Sequence, residues 1–438
     1  MALIRKCVAL IAALTTINCT TPLEAATTNL TPVVIADVQA FSLAVNTTST
    51  RVATQALIPA KGATFMTVHF SQFSLAAGDK VVVRDVEGLT RFEYTGLGRG
   101  ELGQRGGFFS SRLTGDQAVV EFQPAAGSES VSGDFGFTVD KITRSSTSGS
   151  SSTVCGTDDS RPAKCYINDT SLPQAYQKAR AVARLMIDGT EGCTGWLVGS
   201  EGHLLTNNHC IGTDERAALT DFELGAESAD CSEQCQLWGG CAGQMVATSA
   251  TLVATSVEYD YALVKLNTTV DLSAYGHLKI RVAGAIQDEQ IYVPQHPNAW
   301  AKRIAAVDDD GNVTRVNKVG ISTACGDYSV GYTADTRGGS SGSPVLAASD
   351  NQVVALHNCG GLEAVCANGG IDIRTVISDL RTRGVVLPDD AFSDVNAVVP
   401  TGPWIPGSTK APTPAPTPAP TASVCKIFRQ QPTCENTT

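Results

Sequence analysis

The sequence predicts an all-β protein: a small β-sandwich, then a larger body of strands and turns closed by one short helix. Three observations predict it. Apolar and polar residues alternate in short runs, as in Thr64-Phe65-Met66-Thr67-Val68-His69-Phe70 and Lys80-Val81-Val82-Val83-Arg84, and a period of two is that of a half-buried strand. Turn formers interrupt these runs, as at Ala77-Gly78-Asp79 and Gly88. No long helical pattern appears in residues 27–143, and helical spacing shows late, in Thr375-Val376-Ile377-Ser378-Asp379-Leu380.

The elements follow in order. Residues 1–26 read as a secretory leader: Arg5 and Lys6 precede an apolar core from Cys7 to Leu14 that is too short to span a bilayer. Its cleavage is expected between Thr20 and Ala26. Residues 27–143 are the sandwich, in which no catalytic group stands out; a carbohydrate or protein ligand is the function open to it. Residues 144–154 are rich in Ser, Thr and Gly, the composition of a flexible linker. The second body runs over residues 155–390, with Arg180–Ile187 as its first strand. Residues 391–438 hold repeated Ala-Pro-Thr-Pro, which cannot bury a core and reads as an extended stalk, with Cys425 and Cys434 in a short tail.

Size and charge narrow the function. A chain of 438 residues can bury two or three cores. A net charge of −11 with no basic stripe excludes nucleic acid as a partner and reads as the solvated surface of an extracellular protein. No later stretch is long and apolar enough for a transmembrane helix. Fourteen cysteines in a secreted chain imply disulfides, and loss of Cys7 and Cys19 with the leader leaves twelve (14 − 2), an even number. Cys231, Cys235 and Cys241 have gaps found in zinc sites, but no fourth ligand is near and the compartment is oxidising. Neither a metal nor a cofactor is expected. Sequons at Asn46, Asn168, Asn267, Asn312 and Asn436 offer sites for glycans.

The chemistry concentrates in three segments. Gly338-Gly339-Ser340-Ser341-Gly342-Ser343-Pro344 places a serine between glycines. Such a turn exposes a hydroxyl beside free backbone N–H groups, the arrangement acyl transfer needs. Leu204-Leu205-Thr206-Asn207-Asn208-His209-Cys210 brings a histidine after an apolar strand. Tyr259-Asp260-Tyr261-Ala262-Leu263-Val264-Lys265-Leu266 brings an aspartate to the mouth of an alternating strand. Ser341 is the candidate nucleophile, and a base must take its proton during attack. Histidine, with an unperturbed pKa of about 6.5, suits that work, so His209 is the candidate base and later acid. Asp260 is the candidate partner of its other ring nitrogen. The N–H groups of Gly339 and Ser341 are the candidate oxyanion hole. Taken singly, each has a plainer reading: a loop histidine, a turn glycine, a Gly/Ser loop. The chain order His, Asp, Ser is that of one convergent serine-protease triad.

With Cys193-Thr194-Gly195-Trp196-Leu197-Val198-Gly199 before the histidine, the segment from Cys193 to Leu380 resembles the chymotrypsin-like serine peptidases. Gln295-His296-Pro297-Asn298 and the form of the Ser341 loop resemble the lysyl-endopeptidase branch. The resemblance implies two six-stranded antiparallel barrels, a closing helix, and peptide or protein substrates. It implies a Cys193–Cys210 disulfide, Cys155 pairing near Cys366, and Cys165 pairing with Cys231, Cys235 or Cys241. Cys325–Cys359 and Cys425–Cys434 remain as leftovers. Residues 27–143 loosely resemble CUB-like modules.

It also implies a specificity pocket of Asp335, Thr336, His357 and Gly360, with Asp335 favouring Lys or Arg before the scissile bond. The other reading of Asp335 is an exposed loop residue. His357 stands where glutamyl endopeptidases bind a substrate carboxylate, so glutamyl specificity is the alternative, and a non-catalytic homologue acting as a binding protein is another. Two departures stand out. Cys366-Ala367-Asn368-Gly369-Gly370 lacks the acid of the lysyl branch, and Ser340 replaces the aspartate that trypsins pair with a new N-terminus. The N-terminal unit is then either a removable pro-region or a permanent domain.

Overall fold

The computed structural model describes residues 30–48, 51–99, 107–126, 133, 135–146, 152–154, 156–323, 325–362 and 367–393. The expected leader, stalk and tail lie outside them.

The N-terminal strands are β1 (Val33–Val34), β2 (Ala36–Asn46), β3 (Thr54–Pro59), β4 (Phe65–Ser74), β5 (Lys80–Arg84), β6 (Arg91–Tyr94), β7 (Phe108–Phe109), β8 (Leu113–Thr114), β9 (Gln117–Gln123) and β10 (Gly136–Ser145). They form two sheets, β2-β10-β4-β7 with β8 against β4, and β3-β9-β5-β6. The alternation seen in the sequence is what lets them pack. Val81 and Val83 of β5 join Val120 and Phe122 of β9 in one core with Phe70 of β4 and Phe137 of β10. Gly78 and Gly88 take positive φ, 85° and 74°, at the two expected turns, where a side chain would be strained. β10 extends to Ser145, so regular structure reaches past the expected start of the linker. β11 (Ser152–Thr153) pairs with Thr336–Arg337 of the second body.

That body contains β12 (Arg161–Pro162), α1 (Ala175–Ala179), β13 (Val182–Ile187), β14 (Glu191–Val198), β15 (His203–Thr206), α2 (Asp214–Ala218), β16 (Thr220–Leu224), β17 (Gln244–Ala247), β18 (Ala250–Ser256) and β19 (Tyr261–Leu266). β20 (Ile291–Gln295), β21 (Arg303–Ala305), β22 (Val316–Thr323), β23 (Gly326–Tyr332), β24 (Thr336–Arg337), β25 (Pro344–Ala347), β26 (Val353–Leu362), β27 (Ala367–Asp372) and α3 (Ile373–Thr382) complete it. Two antiparallel sheets result, β17-β16-β13-β14-β15-β19-β18 and β12-β21-β20-β25-β26-β27-β23-β22. This is the double-barrel fold expected. β1 adds to the first sheet through β14, with Val33 opposite Gly192 and Val34 opposite Glu191. The closing helix is α3: Asp372 caps it by accepting the Arg374 N–H at 2.9 Å, and Ile373, Val376, Ile377 and Leu380 form its buried face.

Among the described residues four disulfides form. Cys193 joins Cys210 and Cys325 joins Cys359. Of its three candidates Cys165 takes Cys231, which leaves Cys235 to Cys241. The zinc-like spacing is thus consumed by disulfides. Cys155, Cys366, Cys425 and Cys434 lie outside the described residues. Among those residues no helix is long and apolar enough to cross a membrane.

Candidate active site

Strand ends of the two barrels deliver the three segments to one place. β15 ends at Thr206, and the chain turns at once: the N–H groups of Cys210 and Ile211 both donate to the Asn207 carbonyl, at 3.2 and 3.0 Å. That turn carries His209, and the Cys193–Cys210 bond ties it back to β14. Asp260 precedes β19 in a left-handed conformation, φ 41°, which only tight local contacts sustain in a residue with a Cβ. Asn207 supplies one, donating to the Asp260 carbonyl at 2.8 Å.

His209 Nδ1 lies 3.0 and 2.9 Å from the two Asp260 oxygens. The His209 backbone N–H also donates to Asp260 Oδ1, at 3.0 Å. Asn358 of β26 donates to Oδ2 at 3.3 Å. Both side chains are nearly buried, 5% and 7% exposed. A carboxylate so held leaves the ring little freedom and sets its Nδ1 as the protonated nitrogen, which leaves Nε2 as the acceptor.

Ser341 sits before β25. Gly339 has φ 91° and Gly342 φ 87°, so the loop needs glycine at both. A Cβ on Gly342 would fall 2.1 Å from the Thr194 carbonyl. Thr194 of β14 stitches this loop to the first barrel: its N–H donates to the Ser341 carbonyl at 2.8 Å, and its hydroxyl to the Gly339 carbonyl at 2.8 Å. Gly342 N–H donates to the His357 carbonyl at 2.9 Å. Among the described residues, the N–H groups of Gly339 and Ser341 have no acceptor and Ser341 Oγ makes no hydrogen bond to His209. Nucleophile–base contacts of this kind tighten when substrate binds. Ser340 is fully buried, its hydroxyl accepting the Arg337 N–H at 3.1 Å.

The four residues read as a pocket are spread over β24, β26 and the turn before β24. Asp335 is buried rather than exposed in a loop, and its Oδ2 accepts the Asp159 N–H at 2.8 Å. Thr336, also buried, lies in the β11–β24 pair. Gly360 is half-buried in β26. His357 is buried, its Nδ1 2.7 Å from the Tyr332 hydroxyl. Burial pushes the imidazole down to about 3; the Gly369 carbonyl opposes this and the nearby His209 adds to it. Burial likewise keeps the Tyr332 phenol protonated, well above its ordinary range.

Sequence reasoning missed Thr194, Asn358 and Tyr332. Thr194 and Asn358 each adjoin a residue that was read, Cys193 and His357, but their partners lie 145 and 98 residues away, and no local pattern signals such contacts.

The trypsin-like peptidase domain family matches residues 193–356. Secreted RxLR effector protein 73 of Plasmopara viticola is 41% identical over 343 residues, 75% of this chain and 82% of the relative. Among solved structures, the inactive form of the Rv3671c protease aligns with a TM-score of 0.36 and 16% identity, covering 51% of this chain and 98% of its own. An HtrA-type protease with a decapeptide aligns with a TM-score of 0.36 and 14% identity, covering 50% of this chain and 68% of its own.

Proposed function

Residues 193–356 of this chain belong to the trypsin-like peptidase domain family, and from that premise we propose that the protein is a secreted serine endopeptidase using Ser341, His209 and Asp260. Ser341 Oγ attacks the scissile carbonyl carbon while His209 Nε2 takes its proton. Asp260 holds the Nδ1–H and stabilises the imidazolium. The N–H groups of Gly339 and Ser341 receive the oxyanion. The C–N bond then breaks as His209 returns the proton to the leaving amine. Water attacks the acyl-enzyme with His209 again as base, and Ser341 is released. The observation that carries this reading is the Asp260 carboxylate gripping His209 Nδ1 through both oxygens, at 3.0 and 2.9 Å. Secretion is supported by the disulfides and by the 41% identical relative, a secreted effector protein. A fluorophosphonate probe tests the reaction: Ser341 labels in the wild type and Ser341→Ala abolishes labelling. Correctly folded wild type that never labels would instead favour a binding protein.

For specificity we take the pocket as Asp335, Thr336, His357 and Gly360, with Lys or Arg before the cleaved bond. Its support is a buried carboxylate at Asp335, which a cationic side chain would complement. One observation favours an acidic residue instead. Asp335 already accepts the Asp159 N–H, while His357 is a buried, neutral imidazole whose Nδ1 lies 2.7 Å from the Tyr332 hydroxyl. Cleavage of a peptide library by wild type, Asp335→Ser and His357→Gln separates the two. Basic preference that survives Asp335→Ser removes that residue from the pocket.

A further inference from the structure

We propose that the N-terminal sandwich is a permanent positioning element of the peptidase: it holds a left-handed turn at Asn298–Ala299, and that turn aims the Gly339 N–H. The inference rests on the acyl-transfer reading of Ser341.

The Gly338–Gly339 peptide is the piece to be aimed. In a trans peptide the C=O and N–H point in opposite directions. The Asn298 N–H donates to the Gly338 carbonyl at 2.6 Å, so the Gly339 N–H must point away from Asn298. Contact is close on this side: a Cβ on Gly339 would lie 3.0 Å from the His296 carbonyl and 3.1 Å from the amides of Asn298 and Ala299. Ser340, a neutral buried hydroxyl, brings no ion pair to the loop.

The turn that supplies this donor is itself strained. Asn298 has φ 51°, ψ 29°, and Ala299 has φ 50°. Consecutive left-handed residues with side chains persist only when their surroundings over-determine them. The sandwich supplies much of the packing in those surroundings. Ala299 is buried in a small cluster with Ile35, Ala36, Phe65 and Met186, three of the four from residues 35–65. Its carbonyl accepts the Gly239 N–H and Arg184 Nη1, both at 3.0 Å. Arg184 is fixed by Glu223, its Nε 2.9 Å from Oε2.

The sandwich enters here a second time. Arg112 pairs with Glu223 and donates to the Gly239 carbonyl at 3.0 Å. All three charged side chains are buried, 3–4% exposed. Beside them Arg99 and Ser111, also from the sandwich, each reach Asp221 at 2.9 Å. A third brace comes from β1, paired with β14 two residues before Thr194, whose hydroxyl grips the Gly339 carbonyl. Packing, buried charge and strand pairing from one unit thus converge on both sides of a single peptide. A pro-region that leaves would strip all three away.

The test uses the full chain. Arg112→Met removes the sandwich's charge but leaves Glu223 paired with Arg184, so no buried charge is orphaned. It is expected to slow fluorophosphonate labelling of Ser341, and kcat on a peptide the wild type cleaves, by about 10–100-fold with KM unchanged. Arg112→Lys should restore part of the rate. Ile35→Val thins the packing on Ala299 by one methyl; it should cost a few-fold in the same readouts and decides the matter if Arg112→Met does not fold. Arg51→Met is the control, because it breaks a comparable buried pair, Arg51–Asp79, inside the sandwich, and it should leave labelling unchanged. Wild-type rates in Arg112→Met and Ile35→Val, or an equal loss in Arg51→Met, overturn the inference. Failure of the wild type to label overturns the acyl-transfer reading itself.

Discussion

Lowering the pH should destabilise the fold through His357, and the size of the effect follows from its surroundings. The imidazole is buried, faces the Tyr332 hydroxyl and the Gly369 carbonyl, and lies near His209. Among the described residues no carboxylate acts on it to favour the charged form. Burial holds it near 3 when folded, against 6.5 for the free side chain. Between those values the unfolded chain binds a proton that the folded chain refuses. Stability therefore rises with pH across this window and is lost as pH falls through it. A full pH unit inside the window is worth about 1.4 kcal/mol, and the unfolded side chain is already half protonated at 6.5, so the step from 6.5 to 4.5 should cost about 2 kcal/mol from this residue. That is a large part of a typical total of about 5–15 kcal/mol. Carboxylates add slopes of their own, so the comparison is wild type against His357→Gln, whose amide can still hydrogen-bond Tyr332 but does not titrate. Urea unfolding at half-unit pH steps should give the wild type the steeper loss. Equal slopes would show that His357 takes a proton in the folded state and that its burial argument is wrong.

Asp260→Asn should keep the fold and lower kcat by about 10⁴, because an amide cannot hold the Nδ1–H tautomer; steady-state kinetics check it, and a loss under tenfold would remove Asp260 from the reaction. Glu227→Gln should cost about 3–5 kcal/mol in urea unfolding, since Lys302, fully buried and 3.4 Å from that carboxylate, loses its counter-ion. Burial alone would raise the Glu227 carboxyl; Lys302 and Lys164, with bonds from Lys164 and Tyr176, outweigh it and hold the group low. Its contribution is present above the ordinary carboxylate range and is lost as pH falls through the lowered value. Replacing Cys193 and Cys210 together by Ala opens a 17-residue loop, for which about 3 kcal/mol of stability should go; a melting temperature equal to wild type would refute this.

The sequence by itself determined what is local. Alternating runs placed β5 at its observed limits and β4 at its start, though β4 runs on to Ser74, and glycines marked their turns, because strand period and left-handed turns are properties of a few adjacent residues. The chemistry of the candidate site was legible for the same reason: His209, Asp260 and Ser341 each sit in a short segment whose neighbours fit the role. Tertiary structure alone decided what those segments meet. That Cys165 chooses Cys231, that Asn358 reaches Asp260, and that Asp335 is met by a backbone N–H from Asp159 are contacts over 66, 98 and 176 residues. The left-handed pair at Asn298–Ala299 is the sharpest case. Alanine has no preference for that conformation, and the residues packed on it, Ile35, Ala36, Phe65 and Met186, all come from distant parts of the chain. Local propensity cannot encode a strain that distant residues impose.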